Sequence, residues 1–279
     1  MTTDKNVHFA GKYFEEIDQI SEQDNYFTPV LQEILLKLDI KNAKVLDVGC
    51  GTGLFLKPLV TAGCTQLYGV DGPQDFTNRA ILRGYKEVSV VADLNVSPLP
   101  GADDSFDLVV CKDVFEHLLS PTHALSEIRR VLKKDGLLLL HVPNHFPLVG
   151  RLKFLLTNNI DTFSFFQNES RWTFPHIRFY EHSDSLRVLA AHNLSLVLDL
   201  SHHFQAIPIL SRFGFLKRFG FLKSFRKYLV ERFPNQFAAG FTFLVKRIGN
   251  SNPQPPANDK RWARTRQAPL CANLHPAIA

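Results

Sequence analysis

Three glycines fall within five residues directly after an apolar segment, in the stretch VLDVGCGTG at residues 45–53. Glycine permits positive φ angles and a close backbone approach that a Cβ atom would block. The residues that follow predict a helix, whose first free N–H groups suit an anionic or carbonyl-bearing ligand. The stretch therefore predicts a ligand-binding turn between a strand and a helix.

Carboxylates accompany this turn at the ends of predicted strands. Asp47 precedes the first glycine by two residues, Asp71 ends the segment QLYGVD, and Asp93 follows a third apolar segment. A carboxylate after the second strand can accept hydrogen bonds from both ribose hydroxyls, and one after the third can accept from an adenine amino group. Leu54 replaces the last glycine of the dinucleotide pattern G-x-G-x-x-G. The set predicts a nucleoside with a short zwitterionic arm rather than a pyrophosphate.

The elements that must position these residues alternate between strand and helix. Segments such as AKVLDV, QLYGVD and SFDLVVC predict strands, and the amphipathic segment PTHALSEIRRVLKKDG predicts a helix that ends at Gly136. Such alternation is typical of a parallel sheet with helices on both faces. Because ligands bind beyond the carboxyl ends of the strands in these sheets, we expect the turn and the carboxylates to meet at one edge.

At these residues the sequence resembles the class I S-adenosylmethionine (AdoMet)-dependent methyltransferases. The matching segments lie between residues 44 and 198: VLDVGCGTG, LYGVDG, ADLNVSPLP, SFDLVVCKDVFEHL and PTHALSEIRRVLKKDGLLLLHVPN. The resemblance implies an α/β fold with a Rossmann-like, doubly wound sheet of seven strands. That sheet would be mostly parallel, with an antiparallel last strand and helices on both faces. The resemblance also implies AdoMet as the cofactor, while it leaves the methyl acceptor open.

The resemblance implies a cofactor site formed by Asp47, Gly49, Gly51, Gly53, Asp71, Asp93, Leu94, Cys111 and Lys112. The three glycines would line the methionine part of AdoMet, and Asp47 would help to orient its amino group. Asp71 would bind the ribose, and Asp93 with Leu94 would bind the adenine. The last two residues of the set, at the end of the fourth strand, would pass close to the sulfonium.

A second group of reactive side chains, DVFEH, follows the predicted fourth strand. We expect Glu116 and His117 to be the catalytic residues, with His117 as a general base for a hydroxyl acceptor. Ubiquinone-pathway and small-RNA ribose methyltransferases have a similar acid-x-x-Glu-His segment and a further histidine downstream. The alternative is therefore a divalent-metal site of Asp113, Glu116, His117 and His176. Helix capping and pocket shape are the purely structural interpretation.

The chain divides into three parts in this interpretation. Residues 1–43 predict an N-terminal helical cap, residues 44–248 the methyltransferase domain, and residues 249–279, with five prolines, a disordered tail. Within the domain, the aromatic-rich residues 144–181 predict a lid or insertion on the acceptor side. Residues 203–235 form a basic, Phe-rich segment.

The net charge of +5 comes from local basic patches. Residues 212–232 carry seven Lys and Arg and a single acid, Glu231, interleaved with phenylalanines. Three interpretations stay open: a packed helix with solvated charges, a peripheral contact with an anionic membrane, or a nucleic-acid surface. We do not expect a nucleic-acid partner.

The prediction from sequence is an AdoMet-dependent methyltransferase that O-methylates a small or lipid-linked, partly apolar acceptor. One alternative is metal-assisted methylation of a ribose or quinone-precursor hydroxyl, although a divalent metal is not the favoured cofactor. The other is a catalytically inert AdoMet-binding module. A polar N-terminus and the lack of an apolar run of ~20 residues predict a cytoplasmic protein, with peripheral membrane contact through residues 212–232.

Overall fold

The computed structural model describes residues 26–157 without 73 and 92, residues 176–206, and residues 220–249. Its elements, in chain order, are α1 (Thr28–Leu35), β1 (Lys44–Val48), α2 (Lys57–Thr61), β2 (Gln66–Asp71), α3 (Gln74–Leu82), β3 (Glu87–Val90), β4 (Phe106–Lys112), α4 (Pro121–Val131), β5 (Leu132–Pro143), α5 (Leu148–Thr157), α6 (His182–Ala191), β6 (Leu194–Asp199), α7 (Gly220–Arg232), α8 (Pro234–Phe237) and β7 (Gly240–Arg247). Within this described part of the chain, no helix has the length and apolar character that crossing a membrane requires.

The strands form a seven-stranded sheet in the order β3-β2-β1-β4-β5-β7-β6. Strand β7 runs antiparallel to both of its neighbours, β5 and β6. The other neighbouring strands pair in parallel. The predicted α/β fold, a mostly parallel doubly wound sheet with an antiparallel last strand, is confirmed.

Apolar residues on both faces of the central strands explain why helices cover the sheet on two sides. Successive side chains of a strand point to opposite faces. Leu46 and Val48 of β1 therefore pack in the cluster that contains Ile128 of α4. Val45 packs in the opposite cluster with Leu31 of α1. Strands of a sheet that is covered on both faces are buried along most of their length, as β1 and β4 are.

The boundary between α4 and β5 differs from the prediction. The helix ends at Val131 instead of continuing to Gly136, and β5 already begins at Leu132. Leu132 is extended and pairs with Phe106 of β4. The Lys133 ammonium then donates to both carboxylate oxygens of Asp107, at 2.8 and 2.9 Å. Sheet pairing and this ion pair favour the extended backbone over the helical pattern of the sequence.

The winding of the sheet places a crevice at the carboxyl ends of β1 and β4. From β1 the chain proceeds outward to β2 and β3, and from β4 it proceeds outward in the other direction. Ligands of open α/β sheets bind at such a switch point. The glycine turn follows β1 and the Asp113–His117 segment follows β4, so the two predicted groups meet at this edge.

Parts of four predicted segments lie outside the described residues: 1–25 of the N-terminal cap, 158–175 of the lid, 207–219 of the basic segment, and 250–279 of the tail. Of the basic segment, α7 is described, with Val230 buried and Tyr228 exposed. The domain boundaries and the membrane contact of residues 212–232 stay predictions.

The residue between α6 and β6 yields a prediction about stability. Asn193 has a left-handed φ of +57°, and its side-chain oxygen is buried without a hydrogen-bond partner in the described part of the chain. Because glycine adopts this φ without strain and has no polar side chain, Asn193→Gly should raise the free energy of unfolding by about 0.5–1 kcal/mol. Asn193→Ala should be about 1 kcal/mol less stable than Asn193→Gly, because alanine keeps a Cβ atom at this φ. Urea unfolding measures both, and equal destabilisation by the two variants would contradict this assignment.

Candidate active site

The glycine turn after β1 needs glycine for both conformation and space. Gly49, Gly51 and Gly53 have φ angles of +74°, +52° and +81°. A Cβ atom on Gly49 would lie 2.3 Å from Cγ2 of Val114, and one on Gly53 would lie 2.8 Å from Cε2 of Tyr85. Side chains at these positions would therefore force the turn away from the segment after β4 and from the start of β3.

Asp47 lies below this turn in a buried position. The Tyr85 hydroxyl donates a hydrogen bond of 2.6 Å to its Oδ2. Burial is the main cause that raises the pKa of Asp47, to about 7. Tyr85 was missed from the sequence, because an aromatic residue after the turn at Gly84 looks like any residue at the start of a buried strand.

Asp71 at the end of β2 stabilises the same turn through hydrogen bonds. Its Oδ2 accepts a hydrogen bond of 2.7 Å from the N–H of Gly51, and its Oδ1 accepts one of 2.7 Å from the N–H of Gly72. Burial raises the pKa of Asp71. Each carboxylate oxygen retains acceptor capacity, so the side chain can also receive ligand hydroxyls.

Asp93 and Leu94 lie after β3, where the resemblance implies the adenine. Asp93 is exposed and accepts hydrogen bonds from the backbone and side-chain amides of Asn95, which lower its pKa. The Asn95 side-chain oxygen in turn accepts from the N–H of Ser120 at 2.8 Å. Leu94 packs against the core. These bonds order the loop, and the adenine contact stays a prediction.

Cys111 and Lys112 end β4 in buried positions. The Lys112 ammonium lies 3.8 Å from the centre of the Phe55 ring and pairs with Oδ2 of Asp113. Burial disfavours the ammonium, but the neighbouring Asp113 carboxylate outweighs it and raises the pKa of Lys112. Lys112 is therefore a fixed cation and cannot serve as a base near neutral pH.

Asp113 is bound on both of its carboxylate oxygens. Beside the Lys112 contact on Oδ2, Oδ1 lies 3.4 Å from Nε2 of His141. Although burial acts against the charge, Lys112 and His141 hold the pKa of Asp113 near 2. The residue also has a left-handed φ of +53°. Of the four residues in the predicted metal-site alternative, Asp113 is thus committed to other partners.

The other three residues of that alternative converge. One ligand atom from each of Glu116, His117 and His176 can be chosen so that all three lie within 4.8 Å of one another. Glu116 Oε1 is 4.0 Å from Nε2 of His117 and 3.9 Å from Nε2 of His176. The Glu116 side chain is buried, and neither carboxylate oxygen has a hydrogen-bond partner among residues 26–157, 176–206 and 220–249.

Backbone hydrogen bonds bring His176 next to His117, although 59 positions separate the two residues in the sequence. The N–H groups of Ile177 and Arg178 donate to the carbonyl of Glu116, at 2.9 and 3.2 Å. The Tyr180 hydroxyl donates to the carbonyl of Phe115 at 2.8 Å. The segment 176–180 therefore lies directly along the turn that follows β4. The side chains of Arg178 and Tyr180 were missed from the sequence, where they looked like packing residues.

The charge state of this cluster follows from burial. Burial, and secondarily the Asp113 carboxylate, raise the pKa of Glu116 well above its usual range. Burial, and secondarily His117 and His145, lower the pKa of His176 to about 3. The cluster therefore combines a neutral imidazole with a buried carboxyl group that is charged only if a positive charge joins it.

An apolar rim lies beside the cluster. Phe146 and Phe179 are half exposed, with their ring centres 5.4 Å apart. The His145 ring lies 5.0 Å from that of Phe179 and 4.8 Å from that of His176. An organic group held at the cluster would therefore meet aromatic surface on one side.

Comparisons with known proteins agree with this arrangement. Residues 46–140 match the methyltransferase domain family. The chain is 34% identical over 149 residues to a ubiquinone biosynthesis O-methyltransferase of Xanthomonas oryzae pv. oryzae, covering 52% of this chain and 61% of that protein. It is 30% identical over 140 residues to human methyltransferase-like protein 27, covering 49% of this chain and 57% of that one.

The fold matches that of a solved structure as well. The structure is a complex between the Haloferax volcanii Trm112 methyltransferase activator and a methyltransferase. A chain of that complex aligns with a TM-score of 0.58 at 18% identity, covering 86% of this chain and 98% of that one. This chain is therefore similar to methyltransferase domains over residues 46–140, and it shares its fold with that solved structure. It spans about three fifths of the length of the curated relatives named above.

The buried Asp47 yields a prediction about cofactor binding. With a pKa of about 7, Asp47 is mostly protonated at pH 5.5, whereas the methionine ammonium of AdoMet favours the carboxylate. The affinity for AdoMet should therefore rise about tenfold between pH 5.5 and pH 7. Calorimetric titrations measure this rise. Asp47→Asn should abolish the rise, while Glu87→Gln, at the exposed start of β3, should keep it. An equal slope in Asp47→Asn would contradict the role of Asp47.

Proposed function

We propose that this chain transfers the methyl group of AdoMet to a hydroxyl of a small or lipid-linked, partly apolar acceptor. AdoMet would lie over the glycine turn, with its ribose at Asp71 and its adenine near Asp93 and Leu94. The acceptor would lie at Glu116, His117 and His176, beside the aromatic rim.

The match to the methyltransferase domain family supports AdoMet as the cofactor, because that family implies it. The carboxylate of Asp71 supports the placement, since it is fixed by two backbone N–H groups at the crevice yet keeps acceptor capacity for ribose hydroxyls.

The observation that carries the acceptor side is the carboxyl group of Glu116. A buried carboxylate without a hydrogen-bond partner is costly, and two imidazole nitrogens lie within 4.0 Å of it. One carboxylate and two imidazoles form a donor set that fits a divalent cation. Glu116, His117 and His176 would hold that cation, since one ligand atom from each lies within 4.8 Å of the others. Such a cation would lower the pKa of a bound hydroxyl and orient it.

The chemical step then asks little of the protein beyond alignment. The acceptor oxygen attacks the methyl carbon, the carbon–sulfur bond breaks, and its electron pair stays on sulfur in S-adenosylhomocysteine. Holding the three atoms in line can supply up to ~7–11 kcal/mol of the barrier in favourable cases. With the cation bound, the acidified hydroxyl would lose its proton to water, because His117 would then be a ligand. Without a cation, His117, whose side chain is 40% exposed, would accept that proton and pass it to water.

Two observations support a hydroxyl on a partly apolar acceptor. The aromatic rim of Phe146 and Phe179 offers stacking surface beside the cluster. A relative at 34% identity is named as a ubiquinone biosynthesis O-methyltransferase, although the chain covers only 61% of it.

The experiment that tests this function follows radiolabel from AdoMet into an extract of the source cells. The purified protein should move the label into molecules that partition into organic solvent, and the label should be released by reagents that cleave methyl ethers. Binding of AdoMet without any transfer would instead support the inert binding module. Label in RNA or in aqueous small molecules would contradict the apolar acceptor.

A substitution at Asp71 tests the cofactor half of the proposal. Asp71→Asn keeps the shape of the side chain but removes one of the two acceptors for ribose hydroxyls and the charge. The dissociation constant for AdoMet should rise at least tenfold, because about 1.4 kcal/mol or more of hydrogen bonding is lost. Calorimetry measures it, with Glu87→Gln as the matched carboxylate control on the neighbouring strand. Unchanged affinity in Asp71→Asn would refute the ribose placement.

A second pair of measurements separates the cation from a simple base. Chelation with EDTA should reduce methyl transfer at least tenfold, and Mn²⁺ or Mg²⁺ should restore it. Glu116→Gln should lose transfer at any cation concentration yet bind AdoMet as tightly as the natural chain. Transfer that survives both EDTA and Glu116→Gln, but falls with His117→Ala, would replace the cation with His117 alone.

A further inference from the structure

We infer that His145 is a positioning residue of the acceptor site, which holds the His176 imidazole so that its Nε2 faces Glu116. The inference rests on the proposed cation at Glu116, His117 and His176. His145 was not among the residues predicted from the sequence, and it does not belong to the converging set itself.

The imidazoles of His145 and His176 are in direct contact. Nε2 of His145 lies 2.6 Å from Nδ1 of His176, which is hydrogen-bond distance. One of the two nitrogens must carry the shared proton. If His176 donates from Nδ1, its Nε2 has a free electron pair on the side of Glu116, at 3.9 Å from Oε1. That tautomer is the one that a cation ligand requires.

His145 is fixed before any ligand arrives. The preceding residue, Asn144, is buried, and its side-chain amide donates to the carbonyl of Ala238 at 2.8 Å. Its side-chain oxygen accepts from the N–H of Phe146 at 3.1 Å. The backbone on both sides of His145 is therefore tied to the end of β5 and to the residues before β7. The edge contact with the Phe179 ring adds packing to the imidazole itself.

His176 depends on such a partner. Its backbone is attached through the neighbouring N–H of Ile177 to the carbonyl of Glu116, and this bond fixes the position of the chain but does not set the orientation of the ring. Histidine ligands of metal ions usually donate their second N–H to a fixed acceptor, which sets the ring orientation and the tautomer. His145 supplies that acceptor here.

The test compares two replacements of His145. Glutamine places an amide oxygen near the position of Nε2 and can still accept the proton of His176, whereas phenylalanine keeps the ring but has no acceptor. The natural chain, His145→Gln and His145→Phe are titrated with Co²⁺, and the visible absorption of the bound ion is recorded. Glu116→Gln identifies the site, and His192→Gln, at the residue directly after α6, serves as the histidine control.

We expect His145→Phe to bind Co²⁺ 10- to 100-fold more weakly than the natural chain, with an altered absorption spectrum. His145→Gln should stay within about threefold of the natural chain, and His192→Gln should be unchanged. AdoMet affinity should be preserved in all of these variants, which shows that they fold.

Natural affinity and spectrum in His145→Phe would overturn the role of His145 while leaving the cation in place. Binding that Glu116→Gln does not weaken would overturn it too, because the cation would then lie elsewhere. A natural chain that binds no Co²⁺ but still transfers methyl groups would overturn the cation and, with it, this inference.

Discussion

The close approach of Gly49 to Val114 is the constraint on which the rest of the site depends. The space between the turn after β1 and the segment after β4 is too small for a Cβ atom, which would lie 2.3 Å from Cγ2 of Val114. The turn that would hold the cofactor therefore lies directly against the segment whose residues would hold the acceptor. The transfer of a methyl group over a short distance needs such a fixed relation between its two partners.

The two acids of the DVFEH segment, Asp113 and Glu116, have different roles because their neighbours differ. Asp113 lies next to Lys112 and His141, keeps its charge, and connects the end of β4 to β5. Glu116 lies one short turn further on, is buried, and has no hydrogen-bond partner in the described part of the chain. The first acid is thus satisfied within the protein, and the second has capacity for a ligand. The two acids differ because the Lys112 ammonium neutralises the carboxylate of Asp113.

Much of the fold follows from the sequence, because its signals are local. The alternation of short apolar strands with amphipathic helices predicts the sheet, and three glycines after Asp47 predict the turn. The predicted end of α4 was wrong, because two contacts between residues far apart in sequence determine it. Leu132 pairs with Phe106, and Lys133 forms an ion pair with Asp107. Such tertiary contacts cannot be predicted from the helical periodicity of the sequence.

The site is partly predictable for the same reason. Glu116 and His117 follow a strand in an acid-x-x-Glu-His segment, so their neighbourhood could be anticipated. The partners Tyr85 and His145 could not, since each reaches the site through hydrogen bonds between distant segments. The pairing of Asp113 with Lys112 and His141 is equally a property of the folded chain. Sequence patterns therefore locate the site, and tertiary contacts decide which of its groups are available.

The most direct test of the account is a crystal structure of the chain with S-adenosylhomocysteine and Mn²⁺. We expect the homocysteine part over Gly49–Gly53, the ribose hydroxyls on the carboxylate of Asp71, and the sulfur facing the cluster of Glu116, His117 and His176. Anomalous scattering would then place Mn²⁺ within that cluster. A nucleoside bound away from Asp71, or a sulfur turned away from Glu116, would contradict the central claim that one edge of the sheet joins cofactor and acceptor.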